Sequence, residues 1–347
     1  MTRPVPIEPP TKPRSPWQLL YGAVHRWRRR WYRRRALELP RPVISIGNLH
    51  WGGAGKTPMV AAVARHLQES GRKVAVLSRG YASKGKGVRV VSIGEGPMLG
   101  PRLAGDEPVA LAGELSGVAV VVGADRFEAG RHALERLPET PDVFVLDDGF
   151  SHLGLARDLD ILVFPAADPF GGGRLAPSGR LREPLASVLH ASAAILSGSE
   201  VTNPDPNAGR RLAAALERFG FSGAGFCSHT RTLDVVTERG SELPTGTRVF
   251  LAIGIARPER FATAVAERQY EIAGQLDFSD HHSYSEADLE RIVGAARAAG
   301  APWVLTTAKD HVKLFGRLEV PLAYLPIRAE PEPAFWAWLD AALGSIP

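Results

Sequence analysis

A chain of 347 residues with 44% hydrophobic and 23% charged content has the length and composition of one large globular domain or two ordinary ones. No apolar run approaches the roughly 20 residues that span a bilayer, the first 14 residues lack the apolar centre of a secretory signal, and a single cysteine, Cys227, excludes an internal disulfide and a cysteine-built metal site. The net charge of +5 is concentrated in one place: seven arginines fall between Arg26 and Arg35, and taking those seven away leaves the remainder at −2. Such features fit a cytoplasmic protein with a near-neutral body and one basic arm.

Ser15-Pro16-Trp17-Gln18 predicts a helix start, with Ser15 as N-cap, Pro16 at the first helical position and Gln18 completing a capping box. Trp17, Leu20, Tyr21, Val24, Trp27 and Trp31 then recur at helical spacing, with Arg26, Arg28, Arg29, Arg30, Arg33, Arg34 and Arg35 between and after them. Indoles and guanidinium groups on one amphipathic helix suit the interface of an anionic membrane. Two other readings stand beside that one. The stripe can pack on the body with the arginines solvated, or the arm can meet RNA, although no RNA-binding fold signature accompanies it.

The run Pro42-Val43-Ile44-Ser45-Ile46 predicts a strand, and Met59, Val60, Val63 and Leu67 predict a helix. Between them stands Gly47-Asn48-Leu49-His50-Trp51-Gly52-Gly53-Ala54-Gly55-Lys56-Thr57-Pro58. Strand, glycine loop, Lys-Thr and helix in that order describe a phosphate-binding P-loop. Backbone N–H groups of Gly52, Gly53, Ala54 and Gly55 would converge on phosphate oxygens, Lys56 would reach the terminal phosphates, and Thr57 would set its hydroxyl on Mg²⁺. The loop is a variant, because His50 occupies the position of the first glycine in the strict pattern.

Further apolar strands follow near 73–77, 118–122, 143–146, 161–164 and 194–196, alternating with helical patterns. This predicts an α/β fold: a P-loop-type, mainly parallel sheet covered by helices on both faces. Ligands of such sheets bind beyond the carboxyl ends of the strands, where Gly52, Lys56, Thr57, Arg79, Asp125, Arg126, Asp147 and Asp148 gather. The pair Asp147-Asp148 ends an apolar strand and would hold Mg²⁺ with Thr57. Asp106, at a loop-to-helix junction, is the candidate base, or else an N-cap. His281 or His282 would tune or relay its proton; no third ligand at metal-like spacing supports zinc. Arg126, Arg174, Arg180 and Arg182 are cationic candidates for an anionic substrate, the last three in a glycine- and arginine-rich loop.

A turn-rich break at Thr202-Asn203-Pro204-Asp205-Pro206-Asn207 marks a boundary. Beyond it a second αβ series is expected near 249–254, 258–267 and 303–307, with a helix capped by Ser285 and Asp288. The expected division is an N-terminal basic helix at 1–40, a nucleotide-binding domain at 41–202 and a smaller α/β domain at 203–347.

Taken together, the phosphate loop, Ser78-Arg79-Gly80-Tyr81, Gly105-Asp106-Glu107-Pro108, Asp125-Arg126, Asp147-Asp148-Gly149-Phe150-Ser151-His152, Arg157-Asp158-Leu159-Asp160, Leu181-Arg182-Glu183-Pro184, Asp280-His281-His282 and Thr306-Thr307-Ala308-Lys309-Asp310 resemble the tetraacyldisaccharide 4′-kinase family of lipid A biosynthesis. The resemblance implies transfer of the ATP γ-phosphate to the 4′-hydroxyl of an acylated glucosamine disaccharide 1-phosphate, giving lipid IVA. It implies two α/β/α domains around a cleft and a peripheral enzyme on the cytoplasmic face of the inner membrane. Residue by residue, it implies a phosphate loop at Lys56 and Thr57, metal-side acids at Asp147 and Asp148, and a base at Asp106 with a histidine of the 280–282 motif. Active-site roles follow for Arg126, Arg182 and Glu183. Ser151 and Ala308 depart from the family's usual Gln and Glu.

Neither nucleic acid nor an obligate protein partner is expected. The rival classes are a P-loop switch ATPase and a nucleic-acid ATPase. The first often carries Lys where Trp51 stands, and the second would spread basic residues along the cleft.

Overall fold

Runs of Val, Ile, Leu and Phe form strands covered on both sides, because segments so uniformly apolar cannot leave one face in water. The computed structural model describes residues 7–8, 16–81, 83–199, 205, 207–238 and 240–346. The expected cap at Ser15, the side chains of Trp17 and Arg33, and Thr202, Asn203, Pro204 and Pro206 of the turn-rich break lie outside the described residues.

In chain order come α1 Pro16–Arg33, β1 Val43–Gly47, α2 Lys56–Glu69, β2 Val74–Ser78, β3 Arg89–Ile93, α3 Pro101–Ala104 and α4 Asp106–Glu114. These are followed by β4 Val118–Val122, α5 Arg126–Arg136, β5 Val143–Asp147, β6 Leu159–Pro165, β7 Ala193–Ser199, α6 Ala208–Glu217 and β8 Ala224–Thr232. The chain then forms β9 Val236–Thr237, β10 Arg248–Ile253, α7 Pro258–Glu267, β11 Glu271–Asp277, α8 Glu286–Ala298, β12 Trp303–Thr307, α9 Ala308–Leu314 and β13 Leu322–Leu325. It closes with β14 Ile327–Pro331 and α10 Pro333–Gly344.

Nine strands form one sheet in the order β14-β8-β7-β6-β1-β5-β2-β4-β3, parallel except for the antiparallel edges β3 and β14. Neighbouring residues of β1 go to opposite faces. Ile44 and Ile46 pack with Met59, Val63 and Leu67 of α2, whereas Val43 packs with Ala129 and Ala133 of α5. Five strands form the second sheet, β11-β10-β12-β13-β9, antiparallel only at β9. It lies between α7 on one face and α8 with α9 on the other.

The sheets do not follow the division expected at residue 202. β8 adds to the first sheet through parallel pairing with β7, and β14 returns to it from the end of the chain. Only residues 236 to 325 supply the second sheet.

Two features set up the site. β1 lies between β5 and β6; β2 and β4 lie beyond β5, and β7 lies beyond β6 on the opposite side, so the strand order reverses at β1 and the loop after it opens at the switch point of the sheet. The second feature is α9, which packs on α4 and joins the two sheets there. Helix α1 is turned unexpectedly: it buries Gln18, His25 and Arg29 and exposes Leu20, Val24, Trp27 and Trp31 by 60%, 55%, 67% and 41%. The reading in which the apolar stripe packs on the body is thereby corrected. Among the described residues, no helix is long and apolar enough to cross a membrane.

Candidate active site

The phosphate loop is shaped by close approaches. A Cβ on Gly47 would stand 2.5 Å from Phe150 Cβ, and Gly55 takes φ 82° with Ser197 Oγ 2.5 Å from where its Cβ would be. No larger residue fits either place without displacement. His50, in the first-glycine position of the strict pattern, is buried edge-on against Phe164 and bridges to Leu181. Burial holds its imidazole down at about 4, so it is an uncharged wedge under the loop. Trp51, Gly52 and Gly53 form the exposed rim, with open space where side chains on the two glycines would be. Lys56 and Thr57 open α2, whose first N–H groups have no intrahelical partner.

A second segment clamps this loop. Leu49 O accepts from Arg182 N at 2.8 Å, and Arg180 O accepts from Trp51 N at 2.8 Å. The Arg182 guanidinium donates to Asn48 O at 3.1 Å and forks onto both oxygens of Asp148, one of them at 2.8 Å. Lys56 Nζ donates to Asn48 Oδ1 at 3.1 Å and lies 3.7 Å from Asp148. Burial pushes the Asp148 carboxyl up, but the Arg182 hydrogen bonds and Lys56 outweigh it and hold the group below its ordinary value. Asp148 is also one of three non-glycine residues with positive φ among the described residues, at 52°; His281, at 59°, is another. Both are types that tolerate this region, and such strain gathers at functional sites.

The two acids of the pair are thus unlike. Asp147 ends β5 directly opposite Ile46 of β1, at the root of the phosphate loop, and is 3% exposed. Its Oδ2 accepts from Ser78 Oγ at 3.0 Å, while Oδ1 is buried without a hydrogen-bond partner. Burial, with Glu107 and Asp148 nearby, raises it to about 7. A carboxylate so placed is short of a cation. Among the described residues no three His, Cys, Asp or Glu side chains form a closed metal cage. Mg²⁺ needs none, since it is commonly held by one or two carboxylates, substrate phosphates and water. The residues therefore fit Mg²⁺ held by Asp147 and Thr57, with Asp148 already engaged by two cations.

Asp106 opens α4 and is 7% exposed. His281 Nδ1 lies 3.1 and 3.3 Å from its two oxygens, Glu107 N donates to Oδ1 at 3.0 Å, and Lys313 Nζ is 3.7 Å away. Burial raises Asp106, but the His281 hydrogen bond with Lys309 and Lys313 brings it below its ordinary value, so it is ionised at neutral pH. The two histidines, not distinguished in the sequence, have different partners, and it is His281 that faces Asp106. His282 turns away, with Nε2 3.1 Å from Asp288 and its ring packed between Phe278 and Tyr284. Asp288 simultaneously completes the expected capping box with Ser285.

Several expected residues sit differently. Glu183 is not open to a cofactor: it is 3% exposed, Oε1 accepts from Ser151 Oγ at 2.6 Å, and Oε2 accepts from Arg29 at 2.7 Å with His25 Nε2 at 3.4 Å. Its function in the fold is to anchor the buried face of α1, and Ser151, the departure from the family's Gln, serves that anchor. Asp125 is an N-cap, accepting from Phe127 N and Glu128 N. Arg126 is buried beside Asp147, donating to Gly123 O and Ala124 O; burial lowers it and the neighbouring Asp147 opposes that. Arg174 and Arg180 are exposed on the flanking loop. Sequence reasoning left Lys309 without a role and did not reach Lys313 or His25; it named Asn48, Ser78 and Glu107 within motifs and Arg29 within the basic arm, without the partners the fold gives them. Their partners are more than twenty residues away in most cases, so a motif could mark Asn48, Ser78, Glu107 or Lys309 but could not say what each would meet.

The chain matches the family model described as Tetraacyldisaccharide-1-P 4′-kinase over residues 14–344. It is 42% identical over 321 residues to the tetraacyldisaccharide 4′-kinase of Anaeromyxobacter sp. (strain K), covering 88% of this chain and 83% of the relative. It is 40% identical over 331 residues to that of Geobacter sulfurreducens, covering 94% and 91%. A crystal structure of LpxK from Aquifex aeolicus in complex with ATP superposes with a TM-score of 0.74 at 30% identity, covering 94% of this chain and 98% of that one. With a phosphate loop, an acid short of a cation and an ionised carboxylate paired to histidine, and with these likenesses along nearly its whole length, the chain belongs to the tetraacyldisaccharide-1-P 4′-kinase family of ATP-dependent phosphotransferases.

Proposed function

We propose that this chain phosphorylates the 4′-hydroxyl of a tetraacyldisaccharide 1-phosphate with Asp106 as the proton acceptor, the single supporting observation being the buried Asp106–His281 pair at the start of α4, next to Glu107, which acts on Asp147. The rim of Gly52, Gly53, Ala54 and Gly55 with Lys56 binds and orients the triphosphate. Asp147 and Thr57 would hold Mg²⁺, which when bound would supply positive charge to offset that of the transferring phosphoryl group. The 4′-oxygen bonds to the γ-phosphorus as the bond from phosphorus to the bridging oxygen of ADP breaks. The hydroxyl proton passes to Asp106, and the leaving electron pair stays on ADP. Lys56, Arg182 and Arg126 balance the anionic charge gathered there.

Helix α1 meets the membrane. Its exposed Leu20, Val24, Trp27 and Trp31, beside exposed Arg26, Arg28, Arg30, Arg34 and Arg35, support peripheral binding to an anionic leaflet, the cytoplasmic face of the inner membrane. Residues 236 to 325 act as the smaller unit that meets the nucleotide-binding part through the contacts of His281 and α9 with α4. The test is Asp106→Asn, which keeps the shape and one acceptor oxygen while removing the basic carboxylate. Transfer should fall by about 10²-fold or more while affinity for a non-hydrolysable ATP analogue stays within about twofold. Near-normal kcat would remove Asp106 from this role.

A further inference from the structure

The far side of the His281 ring has its own partner. Lys309 Nζ stands 2.9 Å from His281 Nε2 and donates to Asp280 Oδ1 at 3.0 Å, with Glu107 Oε1 at 3.6 Å. Asp280 Oδ1 also accepts from His281 N at 3.0 Å, so one carboxylate fixes both the lysine and the histidine backbone. Beneath them Lys313 contacts Asp106 and Asp310, and Tyr81 stacks edge-on against the imidazole. The charged and titratable groups around His281 are therefore Asp106 and Glu107 from α4, Asp280 beside it, Lys309 and Lys313 from α9, and Tyr81.

An ammonium has three donors and no acceptor. A ring nitrogen 2.9 Å from it must offer its lone pair, which leaves the single imidazole proton on Nδ1, facing Asp106. We infer that Lys309 is a positioning residue that holds His281 as the neutral Nδ1–H tautomer, so that His281 can donate to Asp106 but cannot relieve it of a proton. With Nδ1 carrying hydrogen and Nε2 facing a cation, the proton taken from the sugar hydroxyl stays on Asp106 through the transfer step. The Asp106 hydrogen bond raises His281 above its ordinary value, and burial and Lys309 oppose that rise, so it is the close contact of Lys309 with Nε2 that carries the assignment of the tautomer. Removing Lys309 leaves Asp106, Asp280 and Glu107 around an open Nε2, which then takes a proton. Ala308, where the family usually has Glu, leaves no carboxylate on the N-terminal side of Lys309, and Asp310 on the other side is engaged by Lys313.

This inference rests on the proposed role of Asp106, but its first readout does not. In full-length protein labelled with ¹⁵N-histidine, His281 is assigned by its loss in His281→Gln. At roughly pH 8.5, two units above the ordinary histidine value, wild type should show the neutral Nδ1–H pattern and Lys309→Met an imidazolium or Nε2–H pattern. Lys309→Arg should restore the wild-type pattern. An Nε2–H tautomer in wild type, or no change in Lys309→Met, overturns the inference even if Asp106→Asn is inactive. The kinetic arm is a kcat lowered about tenfold or more in Lys309→Met with KM for ATP within about twofold. An unchanged kcat and pH profile also overturns it. If instead Asp106→Asn remains active while the tautomer pattern responds as stated, the failure belongs to the role given to Asp106.

Discussion

Replacing Arg29 by Met tests how the membrane-facing helix is held. The Arg29 guanidinium is 5% exposed, donates to Glu183 at 2.7 Å and to Phe150 O at 3.0 Å, and lies 4.1 Å above the Phe150 ring. Burial alone would push Glu183 up, yet the His25 hydrogen bond and the Arg29 charge hold it down, from 4.5 to about 2. A carboxyl displaced that far contributes about 3 kcal/mol at neutral pH, within the range for breaking one partner of a buried pair. Because α1 docks on the body as one piece, the loss should appear as local opening of the helix. Hydrogen exchange at the amides around His25 should then quicken by roughly 100-fold in Arg29→Met.

Adding Glu183→Gln should recover part of the loss, because removing both charges leaves neither buried alone. The pH arm has a definite sign. Glu183 is depressed in the folded state, so its contribution is complete above about 4.5 and disappears as pH falls toward about 2. Wild type should therefore approach the Arg29→Met exchange pattern near the lower end of that window, after correction for intrinsic exchange. A change under about threefold in Arg29→Met, or singles that simply add in the double variant, would refute this reasoning.

Other expected outcomes concern the metal and the membrane. Asp147 is raised to about 7, so protons compete with a cation there. In titrations with a non-hydrolysable ATP analogue, apparent Mg²⁺ affinity should climb as pH rises through about 7, and Asp147→Asn should abolish that dependence. A flat profile in wild type would contradict the assignment. Trp27 and Trp31 carry exposed indoles, so Trp27→Ser with Trp31→Ser should weaken co-flotation with anionic vesicles while leaving activity toward detergent-dispersed substrate close to wild type. Equal flotation would separate α1 from the membrane.

Much of this architecture is legible residue by residue. Strands such as Val118–Val122 and Val143–Asp147 announce themselves because they are buried on both sides and nearly all apolar. Helix α7, Pro258–Glu267, and the Ser285–Asp288 box were readable from local spacing and side-chain chemistry. Strands β8, Ala-Gly-Phe-Cys-Ser-His-Thr-Arg-Thr, and β11, Glu-Ile-Ala-Gly-Gln-Leu-Asp, were not, because exposed polar residues interrupt them and pairing with neighbours holds them straight. The site divides the same way. Lys56, Thr57 and Asp147 stand in short motifs with a mechanism attached. Glu183 sits beside Arg182 in sequence, but alternation sends Arg182 to Asp148 and Glu183 to Arg29, and only the docked helix reveals the second partner. Likewise His281 and His282 are adjacent, and what distinguishes them is the left-handed backbone at His281, which turns its ring to Asp106.

The most direct measurement is product formation from tetraacyldisaccharide 1-phosphate and Mg-ATP in detergent, followed by mass spectrometry and phosphorus NMR. The geometry of Asp106, Lys56 and Asp147 predicts one added phosphate, on the 4′-oxygen, with ADP released in equal amount. ATP hydrolysis that proceeds without the lipid and yields no phosphorylated lipid would contradict it.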